Sequence, residues 1–303
     1  MWFKNIRIYT LKEDITINPQ QMETGLGSFA FSHCTSMEIE SQGFVPPLGN
    51  KATSLVHECD GKYLFCARFE KKLLPASVIK DEILEKIEEF TDTNGRAPKG
   101  KEKAELKDAV MLHLLPLAFA THKDVYAWID LKEKLVITNT SSAKQAEATL
   151  SLLRKALGSL PLKPLDVNEG VSSSLTKWLL DNAVPSSFEL GERISMYSPS
   201  NEKKVVNAKS DNLMEDEILQ HLRQGKLVSK IALKYDGVMS FVLDEDLSVK
   251  SIKLDDEFIS GKYDDQSEDL DETSRLSADY FIQLDLFSRL VSYLIKQFGG
   301  ISK

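Results

Sequence analysis

The chain has 303 residues, 42% hydrophobic and 28% charged, with a formal net charge of −8 at pH 7. That balance is the one of a globular protein with a sizeable core, and the length points to two domains or one elaborated domain. No stretch of about 18 apolar residues occurs and no apolar run opens the chain, so neither a membrane span nor a signal peptide is expected. The three cysteines, Cys34, Cys59 and Cys66, are odd in number and lack framework spacing, which fits a reducing cytoplasm.

In chain order, residues 2–10 (WFKNIRIYT) read as a strand. A helix over 18–29 follows, with Asn18 as cap and Pro19 at the first helical position. GFVPPLG (43–49) is a Pro-Pro turn that cannot lie inside a helix, and SLVHEC (54–59) and KYLFCARF (62–69) are strands joined by Asp60-Gly61, a strong hairpin signal. The next stretch holds Ile79, Ile83, Ile87 and Phe90 at helical spacing, a break at Asn94-Gly95, then Leu106, Val110, His113, Leu114 and Leu117. It predicts a projecting helical hairpin over 76–119, its narrow apolar stripes packed on each other. Between 96 and 107 the bases Arg96, Lys99, Lys101, Lys103 and Lys107 face only Glu102 and Glu105, whereas the first helix is acidic.

Strands at 125–131 and 134–140 come next, then a helix capped by Ser141 or Ser142 and stopped by Gly158, with Pro161 and Pro164 marking the end of an N-terminal region, 1–165. The C-terminal region, 166–303, predicts a helix near 175–180, strands at 188–198 and 203–209, a short helix in EDEILQHLRQG, three further strands, and a long helix over 274–298. Alternation in Val228, Lys230, Ala232 and Lys234 places the two lysines on one strand face. The fold class is α+β, with mixed or antiparallel sheets.

Chemistry is sparse. His33-Cys34 and His57-Glu58-Cys59 lack zinc spacing, and no phosphate loop, dinucleotide fingerprint, nucleophile elbow or HExxH motif occurs. Asp244, Asp246, Asp255 and Asp256 are the acids that a Mg²⁺-dependent nuclease would need, but no lysine or histidine is fixed beside them by spacing. No enzyme, metal or cofactor is expected. The negative charge argues against nucleic acid, yet 255–272 holds nine acids against Lys262, so the rest of the chain is neutral. A protein-binding regulator that presents this acidic stretch as a decoy for basic or DNA-binding surfaces is the alternative function.

Several separated stretches resemble one family in order: WFKN (2–5), GFVPPLG (43–49), CAR (66–68), LLP (73–75), VIK (78–80), KGKEKAELKDAV (99–110), LLPLAF (114–119), WID (128–130), SAKQAEATLSLLRKALGSLP (142–161) and LTKW (175–178). The chain is similar along its length to the RdgC family of bacterial recombination-associated proteins. The resemblance implies a ring-shaped homodimer with a basic central hole that encircles duplex DNA without sequence preference. Single strands are left open as a second DNA partner. It further implies a cytoplasmic, nucleoid-associated protein that restrains RecA-dependent strand exchange. Phe119 matches a contact residue at the dimer gate, with Leu117 beside it in the same apolar segment. The DNA-binding candidates are Arg96, Lys99, Lys101, Lys103 and Lys107 at the hairpin, with Lys203, Lys204 and Lys209 as a second patch.

Overall fold

The computed structural model describes residues 2–12, 18–261 and 271–302, and for 201–203 the backbone alone. Two antiparallel sheets and eight α-helices make up the described residues. The first sheet contains β1 (Arg7–Leu11), β2 (Glu40–Val45), β3 (His57–Cys59), β4 (Lys62–Lys72), β5 (Ala120–Asp130), β6 (Leu135–Thr138) and β7 (Leu162–Pro164). Its order is β2-β4-β5-β6-β1-β7, with β3 also on β4. The second sheet, ordered β12-β11-β10-β8-β9, is built from β8 (Phe188–Ser198), β9 (Asn201–Lys209), β10 (Leu227–Tyr235), β11 (Met239–Asp244) and β12 (Val249–Leu254).

Alternation along the first sheet divides its side chains between two cores. Tyr63, Phe65, Ile129 and Val136 face α1 (Pro19–Gly27) and α4 (Ala143–Leu157), where Met22, Leu26, Leu150 and Leu153 complete one cluster. A Cβ at Gly25 would stand 2.3 Å from the Ala156 carbonyl oxygen, so only glycine lets α1 lie this close to α4. Leu64, Cys66, Trp128, Leu135 and Ile137 face the other way, onto α8 (Glu272–Gln297).

Helix α8 lies between the sheets. Phe287 stacks on Phe3 and Trp128 at 6.3 and 6.0 Å, while Tyr293 meets Phe188 edge-on at 5.2 Å from the second sheet. One hydrophobic cluster therefore takes side chains from both sides of residue 165. The chain start ties the sheets directly: Ile6 and Val249 exchange backbone hydrogen bonds of 2.8 and 3.0 Å, and the Phe3 N–H donates to Gln283 Oε1 at 2.8 Å. The smaller helices α5 (Val171–Leu180) and α6 (Asp216–Arg223) add Leu175, Leu179, Ile218 and Leu222 to this cluster, and α7 (Asp256–Ser260) follows β12.

Several elements differ from the sequence expectation. Residues 2–6 precede β1 because their pairing is with β12 and α8 instead of the first sheet. GFVPPLG begins inside a strand, β2, whose outer edge is covered by Phe29–Phe31. Leu162–Pro164 forms an edge strand on β1, where proline's missing N–H faces no neighbour. Of the acidic stretch, Asp256–Ser260 is helical, and Asp264, Asp265, Glu268, Asp269 and Lys262 lie outside the described residues.

Candidate nucleic-acid interface

β4 and β5 pair along their whole length, from Lys62↔Asp130 to Lys72↔Ala120. Residues 73–119 are thus an insertion at the end of a β-hairpin, and the Leu73 N–H donates to the Phe119 carbonyl at 2.7 Å across its neck. The insertion holds α2 (Ala76–Asn94), α3 (Gly100–Leu114) and a 3₁₀ turn at Leu115–Leu117. The two helices lie against each other, with His113 Nε2 4.0 Å from Glu82 Oε1. No residue of α2 is buried; Val110, Leu114 and Leu115 are, but they join neither main core cluster. His113, expected in the apolar stripe, is mostly exposed.

At the tip, Gly95 adopts φ 66° and its N–H caps α2 on the Thr91 carbonyl at 2.8 Å. Arg96 then turns inward. Its guanidinium donates to both carboxylate oxygens of Glu102 at 2.7 and 2.9 Å and lies 5.6 Å over the Phe90 ring. Glu102 also accepts the Lys99 N–H at 2.7 Å, the N-terminal capping interaction of α3. The Arg96 hydrogen bonds first, then the Lys99 N–H, pull the Glu102 carboxyl down to about 2. Arg96 is thereby committed to holding the turn.

The other bases between 96 and 107 stay free of such ties. Lys99, Lys101, Lys103 and Lys107 are exposed and form no ion pair among the described residues. Lys99, Lys103 and Lys107 follow at intervals of four and share one helix face, whereas Lys101 sits on the far side. Helix α2 presents Asp81, Glu82, Glu85, Glu88, Glu89 and Asp92 against Lys80 and Lys86, and Asp108 follows Lys107 in α3, so the hairpin is basic only between 96 and 107.

Leu117 and Phe119 are 68% and 84% exposed, and the exposed Leu73 and Ile39 are joined to this neck through backbone hydrogen bonds at Phe119 and Lys72. Large apolar groups left uncovered together are uncommon on a protein surface.

The second patch lies on the second sheet. Lys204 is exposed but, next to Val205 in the strand, falls on the other side of β9, and the Lys203 side chain lies outside the described residues; Lys209 is on the solvent face, exposed, opposite Arg193 and 3.4 Å from Glu192. The same face carries Lys230, Lys234, Lys250 and Lys253. Val228, expected beside Lys230, is buried on the opposite face, because the β8–β10 register shifts between them. Lys250 and Arg193 escaped sequence reading since bulges interrupt the alternation that would have aligned them. Asp244 sits between two of these lysines, 2.5 Å from Lys250 and 3.6 Å from Lys230, and Asp246 is held by Arg7 at 2.9 Å. No hydrogen bond or ion pair joins hairpin tip and sheet face among the described residues.

Three of the candidate ligand residues are otherwise occupied or buried. His33 Nδ1 meets Glu70 at 2.7 Å, His57 meets Ser277 Oγ at 3.1 Å, and Cys66 is buried in the core, which pushes its thiol pKa up. Among the described residues no group of three or more His, Cys, Asp or Glu side chains is arranged to hold a metal, and no helix is long and apolar enough to cross a membrane.

Residues 1–301 match the family model described as "Putative exonuclease, RdgC". Curated relatives named "Recombination-associated protein RdgC" include those of Proteus mirabilis, 37% identical over 99% of both chains, and of Salmonella typhimurium, 37% identical over 99% of this chain and 98% of the relative. A family match over nearly the whole length, with relatives that align end to end, shows that the chain belongs to the RdgC family.

Proposed function

We propose that this chain is a non-enzymatic DNA-binding protein that closes around duplex DNA as a ring-shaped homodimer, associates with the nucleoid and restrains RecA-dependent recombination. The observation that carries the reading is family membership over residues 1–301 with relatives named for recombination. The physical chemistry supports it. Lys101, Lys103 and Lys107, exposed and without an ion pair among the described residues, and the lysines of the second sheet suit phosphates in any register, which gives affinity without base readout. The neck at Leu117 and Phe119 supplies a projecting apolar contact of the kind one ring interface needs.

The test is anisotropy of a random-sequence duplex across a salt series with chelator present. Log affinity should fall linearly with log salt at a slope near −0.9 per phosphate contact, and reversing Lys101, Lys103 and Lys107 should flatten that slope by about 3. Absence of binding at low salt would shift the function to the acidic protein-binding regulator. The family description favours one further reading, an exonuclease. End-labelled DNA incubated with the protein and Mg²⁺ should keep its length; shortening abolished by chelator would establish that enzyme instead. Enclosure has its own signature: complexes on circular plasmid should survive a salt wash that strips linear DNA.

A further inference from the structure

We propose that a depression on the open face of the second sheet, between β8, β9 and β10, holds an unstacked base of single-stranded DNA. This deepens the DNA-binding reading and rests on it. The depression encloses about 500 Å³ and is lined by Ser195, Tyr197, Val205, Asn207, Ser229 and Lys230, a size within the roughly 300–1,000 Å³ of small-ligand sites.

Its chemistry divides into a ring wall, an edge reader and a charge. The register sets Tyr197 opposite Val205 on one side and Leu227 on the other, so a half-buried aromatic ring lies among aliphatic groups, of which Val205 is 52% exposed. That is a stacking surface, available to any base because every base has a π-face. Next along the strands, Ser195 Oγ donates to Asn207 Oδ1 at 2.7 Å. This fixes the amide and leaves its NH₂ group as a donor toward the acceptors on a base edge. Ser229 Oγ donates to the Ser195 carbonyl at 3.2 Å and keeps its acceptor lone pairs.

Lys230 supplies the charge. Its ammonium is 3.6 Å from Asp244, whose nearer partner is Lys250 at 2.5 Å, so Lys230 is only loosely held and its side chain is 48% exposed. Arg193, Lys209, Lys234 and Lys253 stand on the same face, with Glu189 opposite Lys234 and Glu192 3.4 Å from Lys209, and the excess of bases complements a phosphodiester chain crossing the strands. One carboxylate, Glu245, stands at the rim, where it accepts the Ser172 hydroxyl at 2.7 Å. A duplex keeps its bases stacked and paired and cannot enter; a single strand can turn one in.

The experiment compares a labelled random-sequence single strand with its duplex by anisotropy at one salt concentration. Tyr197→Ala should weaken single-strand binding about tenfold and leave duplex binding within about twofold, with Tyr197→Phe close to wild type. An oligonucleotide carrying one 2-aminopurine should change in fluorescence on binding the wild-type protein and not on binding Tyr197→Ala. Asn207→Ala, an exposed substitution that leaves the core intact, should reproduce the single-strand loss. Equal losses for both DNA forms, or no loss for either, would overturn the pocket. Failure of the wild-type protein to bind either form would overturn the DNA-binding reading itself, a separate result.

Discussion

Glu102 governs the hairpin tip although it belongs to no patch of bases. Its carboxyl is held at about 2 by Arg96 and the Lys99 N–H, against about 4.3 in an open chain. A depressed carboxylate contributes its tie fully above the open-chain value and loses it as pH falls through the folded one. The bracing of the tip should therefore be intact at neutral pH and fade between about 4.3 and about 2, with the Glu102 carboxyl titrating near 2 by NMR. Glu102→Gln removes an anion and releases Arg96 from its bidentate pair. Duplex affinity at low salt should rise and the salt slope steepen by about 0.9, one phosphate's worth; an unchanged slope would take Arg96 away from the DNA. Phe119 and Phe287 form a second contrast. Phe119→Ser, at an 84% exposed site, should shift the stability of the protomer by no more than about 0.5 kcal/mol while reducing the dimer fraction in sedimentation. Phe287→Ala, in the core, should cost about 3–5 kcal/mol in denaturant melts.

At the scale of elements, the helical insertion is separable from what carries it. Its neck is one strand pair wide, Lys72↔Ala120, and its buried side chains join neither main core. Replacing residues 73–119 by an Asn-Gly turn should leave a folded protein with near-native far-ultraviolet strand signal, and should abolish stable enclosure of circular DNA. Loss of folding would show that α2 and α3 support the sheet. Much at this scale was legible in the sequence, because turns and caps act locally: Asp60-Gly61 takes φ 50° and 72°, and Asn18 and Ser142 cap their helices. What escaped depends on distant partners. β2 and β7 become strands through neighbours that sequence does not name, and Val228 parts from Lys230 through a register shift set by β8. The site divides the same way. That bases cluster between 96 and 107 is visible in composition; that Arg96 is consumed by Glu102, six positions on, depends on the path of the turn.

For the whole molecule, the decisive feature is the cluster that α8 shares with both sheets. Residues 1–165 and 166–303 bury side chains in one apolar volume, so heat or denaturant should unfold them together. Phe287→Ala should lower the midpoint of a single transition; two separated transitions would show that the halves fold independently.

The seating of the amino terminus has a consequence for biogenesis. Phe3 stacks on Phe287, and its N–H is answered by Gln283. In a nascent chain the two halves of this contact are made 280 residues apart. Until α8 emerges, the inner face of the first sheet has nothing to close over it, and Trp128 and Leu64 wait uncovered. Closing so long a loop is slow, and sticky intermediates accumulate meanwhile. Translation that stalls before residue 283 should therefore yield a protease-sensitive product, while emergence of the whole of α8 brings protection in one step.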